Sequence, residues 1–253
     1  MPVCRVAGQP VGALRLDPGL RAHARLVQRA ARFLRSPQVP EVRPVCDHSG
    51  VSESTVGENV QLKFEAAWRV FASTCAEFVA PEATYQAWFA HFLISMFGID
   101  RVAREPIFKH KAVEVPHHDL VPGGEVKLDI VVTRTHGLAL PHYVHRGEDL
   151  TGLHTLREIA VITELKVAAT QGGGLSQSEV AQDVYKLSML LHEHLRRTAG
   201  ESAPVPLAYL CILDNHPGHR FNRPLLEKRL ASYEELAKVE ILYEPEHHKA
   251  VPS

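Results

Sequence analysis

The chain has little cysteine and no long apolar run, and each scarcity excludes a class of protein. Four cysteines occur among 253 residues, and no two of them form a Cys-x-x-Cys pair. This distribution argues against a zinc ribbon and a disulfide scaffold and is typical of a reducing compartment, so we expect a cytoplasmic protein. No apolar stretch approaches the roughly 20 residues that a membrane-spanning helix needs, and the first residues lack the continuous apolar segment of a secretory signal.

The chain also lacks an excess of either charge. It contains 28 Lys and Arg against 29 Asp and Glu, for a net charge of -1. This balance excludes a strongly basic histone-like protein and an acidic tail, so a nucleic-acid site would have to be a local basic patch. With 253 residues, 45% of them hydrophobic, the chain is long enough to bury a sizeable core.

We predict two segments, an N-terminal extension over residues 1–58 and an α/β domain over residues 59–253. Within the extension, residues 19–35 form an arginine-rich helix candidate bounded by Pro18 and Pro37. Its arginine face is open to three interpretations: a solvated surface, a contact with nucleic-acid phosphates, or part of a targeting presequence. Residues 37–58 are rich in Pro, Ser, Gly and Val and are typical of a linker.

The apolar periodicity of the second segment predicts alternating helices and strands. Helices are expected over 59–79, 81–97, 176–198 and 222–238, the third opened by a capping box of Ser176 and Glu179. Strands are expected over 107–115, 126–133, 159–168, 207–213 and 239–243. Helices that flank a mixed central sheet in this order predict an α/β fold, a three-layer α/β/α sandwich.

Two of the predicted strands carry charged residues inside Val/Ile-rich runs. Asp129 lies in one strand, and Glu164 and Lys166 lie in the next. A carboxylate in such a run costs free energy unless it has a charged partner or a metal. Glu164 and Lys166 are two residues apart and therefore share a face. If Asp129 shares it, two carboxylates and an amine converge, which suits Mg²⁺ or Mn²⁺; the alternative is a buried Asp129–Lys166 ion pair.

The pattern Asp129…Glu164-Leu165-Lys166, with the order of elements around it, resembles the PD-(D/E)XK nuclease superfamily. The resemblance spans roughly residues 80–243 and implies a restriction-endonuclease-like αβββαβ core. It further implies that Asp129, Glu164 and the Leu165 carbonyl bind Mg²⁺ or Mn²⁺ and that Lys166 is catalytic. The implied activity is metal-dependent hydrolysis of phosphodiester bonds. The implied partners are nucleic acid, with DNA favoured over RNA, and a second copy of the chain in a homodimer. No interaction with a membrane is expected.

The resemblance leaves the third acidic position open. The resemblance implies a Glu on the first core helix that points at the metal site, and Glu82 is the candidate we assign to the catalytic and metal-binding set. Glu65 on the preceding helix is another candidate. If Gln86 instead occupies the family position, the third acid is absent.

Further polar residues have expected roles in the resemblance. The helix after Lys166 carries Gln177, Gln182, Asp183 and Lys186. We expect Gln182 to support catalysis, and Gln177 and Lys186 to approach the nucleic acid. Lys109 and Lys111, near Arg101 and Arg104, form a basic cluster that either contacts phosphates or is an ordinary polar strand end. Residues 134–157 are expected to form a loop or flap over the substrate.

Other chemistries find little support in the sequence. No Gly-Lys-Ser/Thr follows the glycines at 172–174, which argues against an NTPase, and no Gly-x-Ser-x-Gly motif is present. The paired histidines have no accompanying cysteine pair, which argues against zinc. The competing function is a catalytically inactive module of the same fold that binds nucleic acid or another protein.

Overall fold

The computed structural model describes residues 53–109, 121, 124–141, 151–233 and 236–245. The arginine-rich segment and Lys111 lie outside these ranges, as does the predicted strand beyond Lys109. Within them, no helix is both long enough and apolar enough to cross a membrane.

The described residues form α-helices, β-strands and short 3-10 helices in the order that follows. The helices are α1 (Glu53–Cys75), α2 (Glu82–Phe97), α3 (Gln177–Arg197) and α4 (Arg223–Leu230). The strands are β1 (Val102–Arg104), β2 (Ile107–Lys109), β3 (Glu125–Lys127), β4 (Ile130–Thr133), β5 (Ile159–Val167), β6 (Leu207–Asp214) and β7 (Glu240–Pro245). Two 3-10 helices, Leu153–Glu158 and Ala168–Thr170, flank β5.

Five strands form an open mixed sheet in the order β1-β4-β5-β6-β7. The β1–β4 and β4–β5 pairs are antiparallel, whereas β5–β6 and β6–β7 are parallel. Strands β2 and β3 pair separately in an antiparallel two-stranded sheet. The expected α/β fold with a mixed sheet is therefore confirmed.

Alternating residues of β5 belong to two hydrophobic clusters. Val161 and Leu165 pack with aromatic residues of α1 and α2, among them Phe64 and Phe89. Ile162 packs with apolar residues of α3 and α4. Because successive strand residues point to opposite faces, Glu164 and Lys166 follow Ile162 on its face of the sheet.

The predicted continuous strand over 126–133 is wrong, because it divides into β3 and β4 at Leu128-Asp129. β3 pairs with β2, and β4 pairs with β1 and β5. The break arises opposite Glu105-Pro106, where the chain passes from β1 to β2: Leu128 N donates to Pro106 O and Glu105 N to Asp129 O, at 3.1 Å each. Asp129 thus lies between two strands of different sheets.

Three smaller expectations also need correction. The capping box is absent, because the Ser176 hydroxyl contacts the Ser178 hydroxyl at 2.8 Å rather than a backbone amide. Helix α4 ends at Leu230, where Ser232 Oγ donates to the Arg229 carbonyl and diverts the chain into a turn. Part of the predicted flap is instead the 3-10 helix Leu153–Glu158, whose leucines are buried in the core.

Candidate functional site

Six charged side chains meet near the carboxyl end of β5, and we call them the acid–lysine cluster. Strand β5 contributes Glu164 and Lys166, the β3–β4 junction Asp129, helix α3 Asp183 and Lys186, and the start of α2 Glu82. Four carboxylates therefore face two ammonium groups, which leaves two negative charges when all six are ionised.

Asp129 is held by neutral donors on both of its oxygens. The Leu165 backbone amide donates to Oδ2 at 2.8 Å, and Gln86 Nε2 donates to Oδ1 at 2.7 Å. The first contact follows from the register, since Ile130 pairs with Thr163 and Asp129 therefore lies beside the next residues of β5. Burial raises the pKa of Asp129, and the Leu165 amide opposes this effect.

Glu164 is the most deeply buried carboxylate of the acid–lysine cluster, with 2% of its side chain exposed. Lys186 Nζ lies 2.8 Å from Glu164 Oε1. Burial raises the pKa of Glu164 well above its ordinary value, and the nearby Asp129 and Asp183 raise it further, against the attraction of Lys186. A buried acid with a raised pKa beside a lysine is typical of functional sites and also of structural ion-pair networks.

Asp183 bridges the two lysines with its two oxygens. Lys166 Nζ lies 2.9 Å from Oδ2, and Lys186 Nζ lies 2.9 Å from Oδ1. Lys166 also lies 3.7 Å from Glu82 Oε1. Burial lowers the pKa of Lys166, but the attraction of Asp183 and Glu82 outweighs it, so the pKa is raised and this lysine stays protonated.

The structure decides between several sequence alternatives. Asp129 and Lys166 do not form a direct ion pair. Asp129 accepts hydrogen bonds from Gln86 and the Leu165 amide, and the partners of Lys166 are the carboxylates of the other two elements, α2 and α3. Gln86 contacts Asp129, while Glu82, four residues earlier, reaches Lys166. Glu65 bonds with neighbours on its own helix α1, Gln61 and Arg69, rather than with the acid–lysine cluster.

The sequence pattern assigned no role to Asp183 and predicted one for Gln182. Gln182 is exposed, whereas Asp183 is buried and contacts both lysines. The available signal was the spacing of Asp183 and Lys186, because residues three apart on a helix lie on one face. Helix periodicity alone therefore puts Asp183 beside Lys186.

The residues expected to contact nucleic acid are dispersed. Lys109 is half-buried in β2, and its backbone amide donates to Thr151 O at 2.8 Å. Gln177 Nε2 donates to Asn222 O at 3.0 Å. Lys186 lies in the acid–lysine cluster rather than outside it.

The donor set suits a hard divalent cation, because carboxylate oxygens are the ligands that Mg²⁺ and Mn²⁺ prefer. Among the described residues, however, no group of three His, Cys, Asp or Glu side chains stands ready to hold a metal ion. The Lys186 ammonium lies between Glu164 and Asp183, where its single positive charge offsets part of their negative charge. The carboxylates of the acid–lysine cluster are thus suitable ligands for a metal cation, but the Lys186 ammonium already lies between two of them.

Comparison of the chain with known proteins gives no relative: no protein-family model, curated protein or solved structure matches it. The acid–lysine cluster is therefore the feature of the molecule from which a function can be inferred.

Proposed function

We propose that this protein is a metal-dependent nuclease of the PD-(D/E)XK type. The observation that carries the proposal is the convergence of Asp129, Glu164 and Lys166 in one cluster with an excess of carboxylates. Excess buried negative charge is costly in a protein that never binds a cation, since each unpaired carboxylate loses its hydration.

The proposal includes a restriction-endonuclease-like core, arranged as a three-layer α/β/α sandwich. Two features support it: β4, β5 and β6 are adjacent in the sheet, and alternate residues of β5 pack with different helices. The antiparallel pairing of β4 with β5 also brings Asp129 next to Leu165, as a shared site requires.

In this mechanism Asp129, Glu164 and Glu82 would hold Mg²⁺ or Mn²⁺, with the Leu165 carbonyl as a further donor. The bound ion would polarise the scissile phosphate and lower the pKa of a water molecule. Lys166 is positioned by Asp183 and Glu82, and its charge would stabilise the negative charge that develops on the phosphate. The Lys186 ammonium would have to leave Glu164 for the cation to enter.

The proposed substrate is nucleic acid, with DNA favoured over RNA. Lys109, Lys111 and Gln177 are proposed to contact its backbone, and Gln182 is exposed on α3 and accessible to it. We further propose that the protein acts as a homodimer in the cytoplasm.

A second candidate is a catalytically inactive module that retains the fold and binds nucleic acid or a protein. The specific observation in its favour is the internal cation, since Lys186 lies 2.8 Å from Glu164 and 2.9 Å from Asp183. An arrangement in which lysine permanently replaces the metal would keep the acid–lysine cluster as a structural network.

A cleavage assay separates the two candidates. Plasmid, linear and single-stranded DNA and RNA are incubated with Mg²⁺ or Mn²⁺ and either the wild type, Asp129→Ala, Lys166→Ala or the exposed control Lys127→Ala. The nuclease proposal predicts metal-dependent cleavage that the first two substitutions abolish and the control retains. No cleavage by the wild type, with nucleic-acid binding equal in all variants, would favour the inactive module.

A further inference from the structure

A polar cavity lies at the C-terminal end of α3, away from the acid–lysine cluster. It has a volume of about 260 Å³ and opens between the 3-10 helix Leu153–Glu158 and the end of α3, where His194 and Arg197 line it. His194 is eight residues beyond Lys186 on the same helix, or about 12 Å along its axis. The cavity is therefore separate from the acid–lysine cluster.

His194 is a fully buried side chain that lines this cavity. Neither of its ring nitrogens has a hydrogen-bond partner among the described residues. Burial lowers the pKa of His194 and the nearby Arg134 lowers it further; the Leu156 backbone opposes both, through a contact outside hydrogen-bond geometry. A buried polar group without a partner is unfavourable, and native proteins rarely leave one unexplained.

Arg134 adds a second unsatisfied donor close to His194. Its Nη2 donates to the carbonyls of Pro204 and Val205, at 2.9 and 3.3 Å. Its Nε is buried and has no partner among the described residues. The guanidinium is close enough to influence the pKa of His194. Unused N–H donors of an arginine and a histidine thus occur together.

Among the described residues, basic side chains outnumber acidic ones around the cavity. Arg196 and Arg197 both donate to the single carboxylate of Glu193. Arg157 and Arg134 similarly have one acid, Glu158, as their common neighbour. Glu201, which also lines the cavity, does not fully offset the excess.

We propose that this cavity binds a phosphate group, with His194 and Arg157 as ligands and Arg134 in support. Arginine guanidiniums match the oxygens of phosphate in geometry and charge. A neutral imidazole has one N–H donor. Because both ring nitrogens of His194 are buried, the ring has to turn toward the cavity to donate to a phosphate oxygen. The phosphate is either a free ion or nucleotide, or a phosphate of a nucleic-acid chain.

Binding is measured by isothermal titration calorimetry with inorganic phosphate as the probe, in EDTA so that no divalent cation takes part. We expect binding by the wild type and an affinity about ten- to a hundredfold lower in both His194→Leu and Arg157→Ala, since each removes a donor to an anion. Arg157 is largely exposed, so its substitution leaves the fold intact even if His194→Leu does not fold. Arg69→Ala removes a similarly exposed arginine that pairs with Glu65 on α1, and it should bind phosphate like the wild type.

Two oligonucleotide arms identify the source of the phosphate. A short single strand that binds more tightly than phosphate, and loses this affinity in Arg157→Ala, identifies a nucleic-acid phosphate. Oligonucleotide binding that Arg157→Ala leaves unchanged, together with phosphate binding that it weakens, identifies a free ion or nucleotide. No phosphate binding up to about 10 mM, or equal affinity in wild type and Arg157→Ala, would overturn the proposal. Because EDTA prevents metal-dependent cleavage, this result is independent of the proposed nuclease activity.

Discussion

The two faces of strand β5 differ sharply in chemistry. On one face, Val161, Leu165 and Val167 pack in a cluster rich in aromatic side chains from α1 and α2. On the other, Ile162 is followed by Glu164 and Lys166, which face acids and a lysine. One strand thus contributes apolar stabilisation through one set of residues and a charged site through the alternate set. The apolar packing on the aromatic face can offset the free-energy cost of burying charged side chains on the other face.

The aromatic face should show the largest loss of stability on substitution. Phe89 lies 5.0 to 5.7 Å, centroid to centroid, from Phe64, Trp68 and Phe71. Phe89→Ala removes these contacts and leaves a cavity, so we expect the free energy of unfolding to fall by about 3–5 kcal/mol. Urea denaturation followed by tryptophan fluorescence measures it. A loss below about 1 kcal/mol would mean that this face does not support the strand.

On the charged face, removal of Lys186 should cost somewhat less and should respond to metal. Lys186→Met leaves Glu164 and Asp183 without their shared cation, so we expect a loss of about 3 kcal/mol at neutral pH without metal. Mn²⁺ should restore part of it, since a divalent cation would replace the ammonium. The double variant Lys186→Met/Glu164→Gln serves as control and should lose less than the single one. Equal losses in EDTA and in Mn²⁺ would indicate a purely structural lysine.

The charged face, unlike the aromatic face, should make the free energy of unfolding depend on pH. The pKa values of Glu82, Asp129 and Glu164 are raised, chiefly by burial. Above the ordinary carboxylate pKa the native protein keeps protons that the unfolded chain has released, so the free energy of unfolding decreases as the pH rises through this window. Urea denaturation between pH 5 and 7, in about half-unit steps, should show a shallower decrease for Glu164→Gln than for the wild type. Parallel curves would contradict a raised pKa at Glu164.

The smallest effect is expected at an ion pair outside both faces. Lys127 and Glu105 pair at 2.9 Å with about half of each side chain exposed. Lys127→Ala should therefore change the free energy of unfolding by less than about 1 kcal/mol, because water and salt screen exposed pairs. A loss similar to that of Lys186→Met would show that burial does not set the strength of these contacts.

Much of the sheet could be predicted from local pattern. β5 and β6 are long Val/Ile/Leu-rich runs, and the structure places both inside the sheet. The division at Leu128-Asp129 could not be predicted, because the apolar alternation continues through it. The break depends on Glu105 and Pro106, which lie on another part of the chain and interrupt the pairing.

The sequence indicates the strand residues of the acid–lysine cluster and Glu82 on α2. It assigns no role to Asp183 and predicts a nucleic-acid contact for Lys186 instead of a place in the cluster. Asp129, Glu164 and Lys166 stand out because charge is unusual in Val/Ile-rich strands. Asp183 lies on a polar helix face, where an acid is unremarkable until the packing of α3 on β5 buries it. The contact of Lys186 with Glu164 likewise depends on the packing of these two elements, which no spacing within one element specifies.

The proposed nuclease requires the acid–lysine cluster to bind a divalent cation, and this can be measured directly. Mn²⁺ is titrated calorimetrically into the wild type, Glu164→Gln and Lys127→Ala. We expect saturable binding by the wild type and the Lys127→Ala control, and binding at least about tenfold weaker in Glu164→Gln, since a charged ligand is lost. No binding by the wild type, or equal binding by Glu164→Gln, would show that the acid–lysine cluster is not a metal site.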